Sequence, residues 1–265
     1  MKVHNYLRML RIRDWIKFYM AMPLGGALLA GANAFQLILV FIIFFFLISY
    51  AFTVNNYFDA EIDRLHNGKA RSNKNPLACG LINANGVLLV MLIQIGVSLI
   101  SIRMTRLGFG LVVLNIILFT VYSGVIRLKE RPVLDAINHG LMFGAVPFLA
   151  GFALCAGSIS PNILSLAAPL FILGAEALIA HQIVDYEEDI KSTKTTITMI
   201  GQRNGLLLLG LLAIISVGAL FFANSMPQQL PLPTWAVVGF GWYLLVYPAY
   251  SCRSVFHDIR HSAST

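Results

Sequence analysis

Long apolar runs alternate with short polar ones along the whole chain, and the clearest of them, FQLILVFIIFFFLISYAFTV at residues 35–54, carries no charge at all. An α-helix needs about 20 mostly apolar residues to cross the hydrocarbon of a bilayer. Eight stretches of that kind can be marked, at 16–34, 35–54, 86–102, 107–126, 136–157, 161–184, 205–223 and 233–252. The first holds Pro23 and three glycines, Gly25, Gly26 and Gly31, which predicts a kinked or tilted helix whose freed backbone groups are satisfied by neighbouring helices. The expected fold is all-α, a polytopic membrane helical bundle with eight transmembrane helices.

Composition agrees with that pattern. The 265 residues are 58% hydrophobic and only 12% charged, far from the average of soluble domains. The first seventeen residues carry Lys2, Arg8, Arg11, Arg13 and Lys17. No short apolar run leads from them to a small-residue cleavage site, so no removable signal is expected. Cys79, Cys155 and Cys252 are widely separated, without a CxxC pair. They predict neither a disulfide framework nor a zinc site and are read as structural.

Charge predicts orientation. With eight spans and an internal N-terminus, the inner segments hold every Lys and Arg except Arg103 and Arg106, seventeen of the nineteen basic residues. The positive-inside rule then places both termini and the basic loops in the cytoplasm, the protein being integral to the cell (cytoplasmic) membrane. The outer loops GANA, GSISPN and NSMPQQLPLP carry no charge. The net charge of +7 reads as a topology signal plus attraction to anionic membrane lipid or an anionic substrate, and nucleic acid is not an expected partner.

The polar segments carry a pattern of their own. Asn55-x3-Asp59-x3-Asp63 follows the second span, and Asp185-x3-Asp189 follows the sixth, 126 residues after Asp59. This predicts one domain, 1–265, made of two four-helix pseudo-repeats, about 1–130 and 131–265, around a central cavity, with an acidic cluster after the second helix of each. On a helix, positions four apart share nearly one face. Each cluster is therefore an oxygen-bearing stripe, and its like charges repel unless a cation sits among them. Mg²⁺ prefers hard oxygen ligands, one or two carboxylates completed by water and substrate phosphate. Two opposed stripes would hold two or three Mg²⁺ and, through them, a diphosphate. An acid-rich turn at a helix end is ordinarily a solvated loop; its symmetrical recurrence, each time followed by Lys and Arg, argues for a site.

NNYFDAEIDR at 55–64 resembles the NDxxDxxxD signature of the UbiA superfamily of intramembrane prenyltransferases, and HQIVDYEEDIKSTKTTITMIG at 181–201 is similar to its second DxxxD motif. LRIRDWIKF, NPLACG and YSGVIRLKERP extend the resemblance over residues from about 7 to 205. It implies transfer of a prenyl group from a polyprenyl diphosphate to a small acceptor, with Mg²⁺ as cofactor. It also implies metal-holding roles for Asn55, Asp59, Asp63, Asp185 and Asp189, the four aspartates being the catalytic acids. Substrate contacts would come from Asn55, Arg64, Lys69, Arg71, Lys74, Lys129, Lys191, Lys194 and Tyr122. Two features depart from the family pattern: Asn75-Pro76 stands where the family commonly has Arg-Pro, and the family usually has nine spans. Asn56 also occupies a place where Asp is frequent.

An allylic cation left by departure of diphosphate needs a dry pocket with aromatic faces, since cation–π contact is worth roughly 2 kcal/mol when desolvated. Phe52, Tyr57, Tyr122 and Tyr186 lie near the acidic clusters, although packing is the commoner use of membrane aromatics. Glu176 is the one acid at mid-membrane, where ionisable groups are functional candidates or bond a neighbouring helix. His181 precedes Asp185 by one turn, either orienting it, acting as a base or sitting as a satisfied structural histidine. Asp135, Asn138 and His139 open the fifth span, Asp135 as a helix cap and the other two as candidates for acceptor binding. The acceptor is either an aromatic quinone precursor or a glycerol phosphate of ether lipids. Two alternatives stand beside this reading: phosphoribosyl transfer to a polyprenyl phosphate, and a transporter with an acidic cytoplasmic vestibule.

Overall fold

A computed structural model of the chain describes residues 2–65, 75–191, 193–225 and 232–255. Among these every regular element is helical. In chain order they are α1 (Lys2–Met9), α2 (Ile12–Trp15), α3 (Ala21–Leu29), α4 (Ala34–Leu65), α5 (Ala84–Ser98, prolonged by a tighter 3₁₀ turn to Arg103) and α6 (Arg106–Ser123). There follow α7 (Leu134–Gly140), a π-helical turn (Leu141–Ala145), α8 (Val146–Ala156), α9 (Pro161–Val184), α10 (Tyr186–Asp189), α11 (Thr196–Ile200), α12 (Gln202–Asn224) and α13 (Thr234–Ser251).

Polar residues placed between the apolar runs set where these helices begin. Asn33 and Gln36 cap α4 reciprocally, each side chain bonding the other's backbone N–H at 3.0 Å, which satisfies donors that have no partner inside a helix. Asn83 and Thr105 accept from Gly86 N and Gly108 N at the heads of α5 and α6. Ser160 with Pro161 opens α9, a proline being tolerated in the first turn because its missing N–H would be an orphan there. No glycine or proline interrupts residues 34–65. The helix accordingly runs on past its apolar stretch into the acidic segment, 32 residues in all and about 48 Å long.

Among the described residues six helices are long and apolar enough to cross a membrane: Ala34–Leu65, Ala84–Arg103, Arg106–Ser123, Leu134–Ala156, Pro161–Val184 and Gln202–Asn224. The protein is an integral membrane protein. The remaining two expected spans are helical but differ in kind. The first, 16–34, yields only the nine-residue α3, because residues 16–20 form turns and Ala30–Gly31 end the helix, Gly31 at φ +72°. The last is α13, 18 residues long.

The chain forms two compact units, one of residues 1–127 with 146–158 and one of 128–145 with 159–265. In the first, α3 crosses α8 with backbones in contact: a side chain at Gly26 would strike the Phe148 carbonyl and one at Gly151 the Pro23 carbonyl. Small residues permit such approach where lipid offers no hydrophobic drive for helix association. In the second unit Gly140 of α7 and Gly174 of α9 meet in the same manner, a Cβ on Gly174 falling 3.0 Å from the Gly140 Cα.

Candidate active site

The first acidic stripe belongs to the first unit and lies on one uninterrupted helix. Asn55, Asp59 and Asp63, spaced by four, are all half-buried on α4, and each is engaged by a residue from elsewhere in the unit. Ser123, the last residue of α6, donates to Asn55 Oδ1 at 3.0 Å. Arg127, whose backbone is left-handed at φ +50°, brings Nη2 to 3.3 Å from Asp59 Oδ1. Asn75, buried, donates to Asp63 Oδ2 at 2.9 Å.

The neighbours of the stripe are spoken for by packing. Asn56 is buried on another face, its amide toward the Met9 sulfur at 3.8 Å. Arg64 donates to the carbonyls of Ala78 and Leu77 at 3.2 and 3.3 Å, so it braces the 75–80 turn. Phe52 stacks on buried Trp15 and carries the Arg11 guanidinium 5.2 Å from its ring centre. Tyr57 packs against the cluster of Met9, Ala60, Leu77, Ile82 and Val87. Tyr122 is half-buried beside Ser123. Lys69, Arg71 and Lys74 lie outside the described residues.

In the second unit α9 ends at Val184, and Asp185 is its C-terminal cap residue, at φ −90° and ψ 9°. A further turn carries the chain to Asp189, whose N–H bonds the Asp185 carbonyl at 2.9 Å. The one-turn spacing survives although the helix does not. His181 Nε2 is 3.4 Å from Asp185 Oδ2, both side chains well exposed, at 73% and 40%. Tyr186 packs on the buried cluster around Ile179 and Ile183. Lys191 and Lys194 are exposed and Lys129 is half-buried.

What holds this second segment is a buried network around Asp135. Its Oδ2 accepts from Gln182 Nε2 and from Thr196 N, each at 2.8 Å. Its Oδ1 accepts from Ala136 N at 2.7 Å and from the Thr196 hydroxyl. Gln182 in turn accepts from Ile197 N at 3.2 Å, and the Thr196 oxygen from Val133 N at 2.7 Å. Val133 takes φ +71°, a costly conformation for a β-branched residue that persists only when its surroundings enforce it. The expected capping role of Asp135 is therefore corrected. The cap position is Val133, which makes no side-chain cap bond, and the Asp135 carboxylate instead ties the start of α7 to the end of α9 and the start of α11.

The other polar residues divide plainly. His139 Nδ1 lies 2.7 Å from the Gly174 carbonyl and its ring packs on Phe143 at 4.8 Å. Asn138 Nδ2 reaches the Met142 sulfur at 3.1 Å. Both belong to the packing of the second unit. Glu176 is fully buried; Ser216 of α12 faces it, but neither carboxyl oxygen closes a hydrogen bond among the described residues.

The donor set suits a hard cation. Among the described residues no three acidic, histidine or cysteine side chains converge, as a protein-only cage would require. Each stripe offers two carboxylates, and the first adds the Asn55 amide oxygen. This is the partial shell in which Mg²⁺ keeps water and substrate phosphate as its other ligands. The reading from sequence did not assign Ser123, Arg127 and Asn75 as partners of the first stripe, nor Gln182 and Thr196 as partners of Asp135. Short polar side chains bonding across elements leave no periodic mark in a sequence.

Comparison with known proteins bears on the family and the fold. The chain is 27% identical over 216 residues, 79% of its own length and 70% of the relative's, to a digeranylgeranylglyceryl phosphate synthase of Thermococcus gammatolerans. Its fold is similar to that of a UbiA homolog from Archaeoglobus fulgidus. The form bound to GPP and Mg²⁺ superposes with a TM-score of 0.76 at 25% identity, covering 96% of this chain and 87% of that one. The form bound to DMAPP and Mg²⁺ gives 0.77 at 26% identity, covering 93% and 85%. The profile of the UbiA prenyltransferase family matches residues 19–258, nearly the whole chain, and the protein belongs to that family.

Proposed function

We propose that this UbiA-family prenyltransferase moves a prenyl group from a prenyl diphosphate to the hydroxyl of a glycerol phosphate ether lipid precursor, with Mg²⁺ as cofactor. The observation that carries the reading is the half-buried Asn55, Asp59, Asp63 stripe, each member engaged by a different element of its unit. Support for the donor comes from the similar Archaeoglobus fulgidus protein bound to GPP or DMAPP with Mg²⁺. Support for the acceptor comes from the curated relatives, both digeranylgeranylglyceryl phosphate synthases.

Asn55, Asp59 and Asp63 of the first unit, and Asp185 and Asp189 of the second, are the residues that would hold metal. Bound there, Mg²⁺ supplies Lewis-acid neutralisation of the leaving group. Basic side chains, Lys129, Lys191 and Lys194 among them, neutralise the rest of the departing charge. The allylic C–O bond breaks with its electron pair going to diphosphate, the acceptor oxygen bonds the allylic carbon, and the hydroxyl proton passes to the released diphosphate. The cationic carbon needs a water-excluding, apolar surround, and Tyr122 is one aromatic that would face it. Both termini and the acidic segments lie on the cytoplasmic side, which reporter fusions to each terminus would test.

The deciding experiment is prenyl transfer by purified protein from radiolabelled geranylgeranyl diphosphate, with glyceryl phosphate and aromatic acceptors, in Mg²⁺ or in EDTA. Product on a glyceryl phosphate, lost in EDTA and restored by Mg²⁺, is expected. Product on an aromatic ring instead would move the enzyme to quinone synthesis. Absence of diphosphate release with every acceptor would sink the donor assignment.

A further inference from the structure

We infer that Asn75 is a positioning residue for Asp63, an uncharged clamp that fixes the orientation of one carboxylate in the proposed metal-holding stripe. The inference rests on the Mg²⁺ reading above and adds a residue to it.

Asn75 is buried, 4% exposed, and both polar atoms of its side chain are used. Its Nδ2 donates to Asp63 Oδ2 at 2.9 Å and to the Asn56 carbonyl at 2.7 Å, which accounts for both amide hydrogens. Its Oδ1 accepts from Ala78 N at 3.3 Å. A reversed amide would set its oxygen against two acceptors and its NH₂ against an N–H, so the orientation is fixed by its surroundings.

The turn that carries this amide is itself held. Cys79 N bonds the Asn75 carbonyl at 3.2 Å and Leu81 N the Pro76 carbonyl at 3.0 Å. Gly80 supplies the left-handed φ of +69° that closes the turn, and Arg64 bonds the carbonyls of Leu77 and Ala78. The clamp therefore reaches across from a braced turn to helix α4.

Asp63 differs from Asp59 in the charge of its partner. Asp59 faces a guanidinium; among the described residues Asp63 is bonded by an amide and by no basic group. An opposite charge beside a carboxylate competes with a metal for it, whereas a neutral donor orients the group and leaves its charge intact. With Oδ2 clamped, Oδ1 is the oxygen left to a cation.

The test is a double-mutant cycle on the purified full-length protein, with saturable Mn²⁺ binding read by electron paramagnetic resonance and Mg²⁺ half-saturation read in prenyl transfer. Asn75→Ser, which keeps an oxygen for Ala78 N, and Asn75→Ala, which does not, are each combined with Asp63→Asn. Loss of an outer partner commonly costs a metal ligand roughly ten-fold or more in affinity. The expectation is a loss of that size in both readouts for the single Asn75 variants, and no further loss once Asp63 is Asn. An equal loss in both backgrounds, or unchanged Mn²⁺ affinity in Asn75→Ser, would overturn the inference by reducing Asn75 to a loop-closing residue. Saturable Mn²⁺ binding that Asp63→Asn leaves intact would refute the metal assignment itself.

Discussion

The two acidic stripes share a spacing but not a construction. That of the first unit stands on a single 32-residue helix, its members half-buried and engaged directly by Ser123, Arg127 and Asn75. That of the second rounds the end of a helix, with Asp185 40% exposed and the main support, Asp135, acting through Gln182 and Thr196. One stripe is held by its own partners and the other by the folding of the segment that bears it. Equal spacing in sequence thus arises from two different backbones, and each breaks in its own way.

The largest effects should come from the acids themselves. Asp59→Asn and Asp185→Asn are each expected to lower prenyl transfer by roughly 10²-fold or more, as removal of a group that stabilises developing charge does, with elution and melting of the purified protein unchanged. A severe loss in only one would show that the stripes do unequal work. Next is the network of the second unit: Asp135→Ala leaves several buried donors without an acceptor and should cost about 3 kcal/mol, read as a lowered melting temperature in detergent. Asp135→Asn, which keeps one acceptor oxygen, should lose less. Equal loss in the two variants would mean that volume, not hydrogen bonding, is what matters there.

Smaller shifts separate the basic partners. Arg127→Gln frees Asp59 from a competing cation and should lower the Mg²⁺ half-saturation by up to about five-fold, the worth of roughly 1 kcal/mol for a partly exposed pair. A rise would assign Arg127 to the diphosphate instead. His181→Gln should change the rate by less than about five-fold, because its contact with Asp185 is exposed and long. A larger drop would revive a role for that ring as a base.

The helical class was legible because apolar runs of about 20 residues have few uses other than spanning, and both stripes were legible because a four-residue period survives even where a helix ends. The second unit shows why the rest was not. Asp135 looks like a cap at the head of a helix, and only the fold brings Thr196, 61 residues away, against it. Asn75 looked in sequence like the loss of an arginine. Its actual use, bonding Asp63 from a turn, depends on a tertiary contact that pattern does not encode. The apolar run stops at 54 and the acidic segment beyond it reads as helical in its own right; that one unbroken helix carries both follows from polar residues that favour it well enough and meet no breaker.

That continuation has a consequence for how a lipid-like substrate is handled. At about 48 Å, α4 outreaches a hydrocarbon layer of about 30 Å, and its acids stand on the last third. Lifting an isoprenoid tail into water would cost about 0.8 kcal/mol for each methylene. A helix that extends its charges to the depth where a floating diphosphate already resides removes that desorption step, so capture becomes a two-dimensional search within the leaflet.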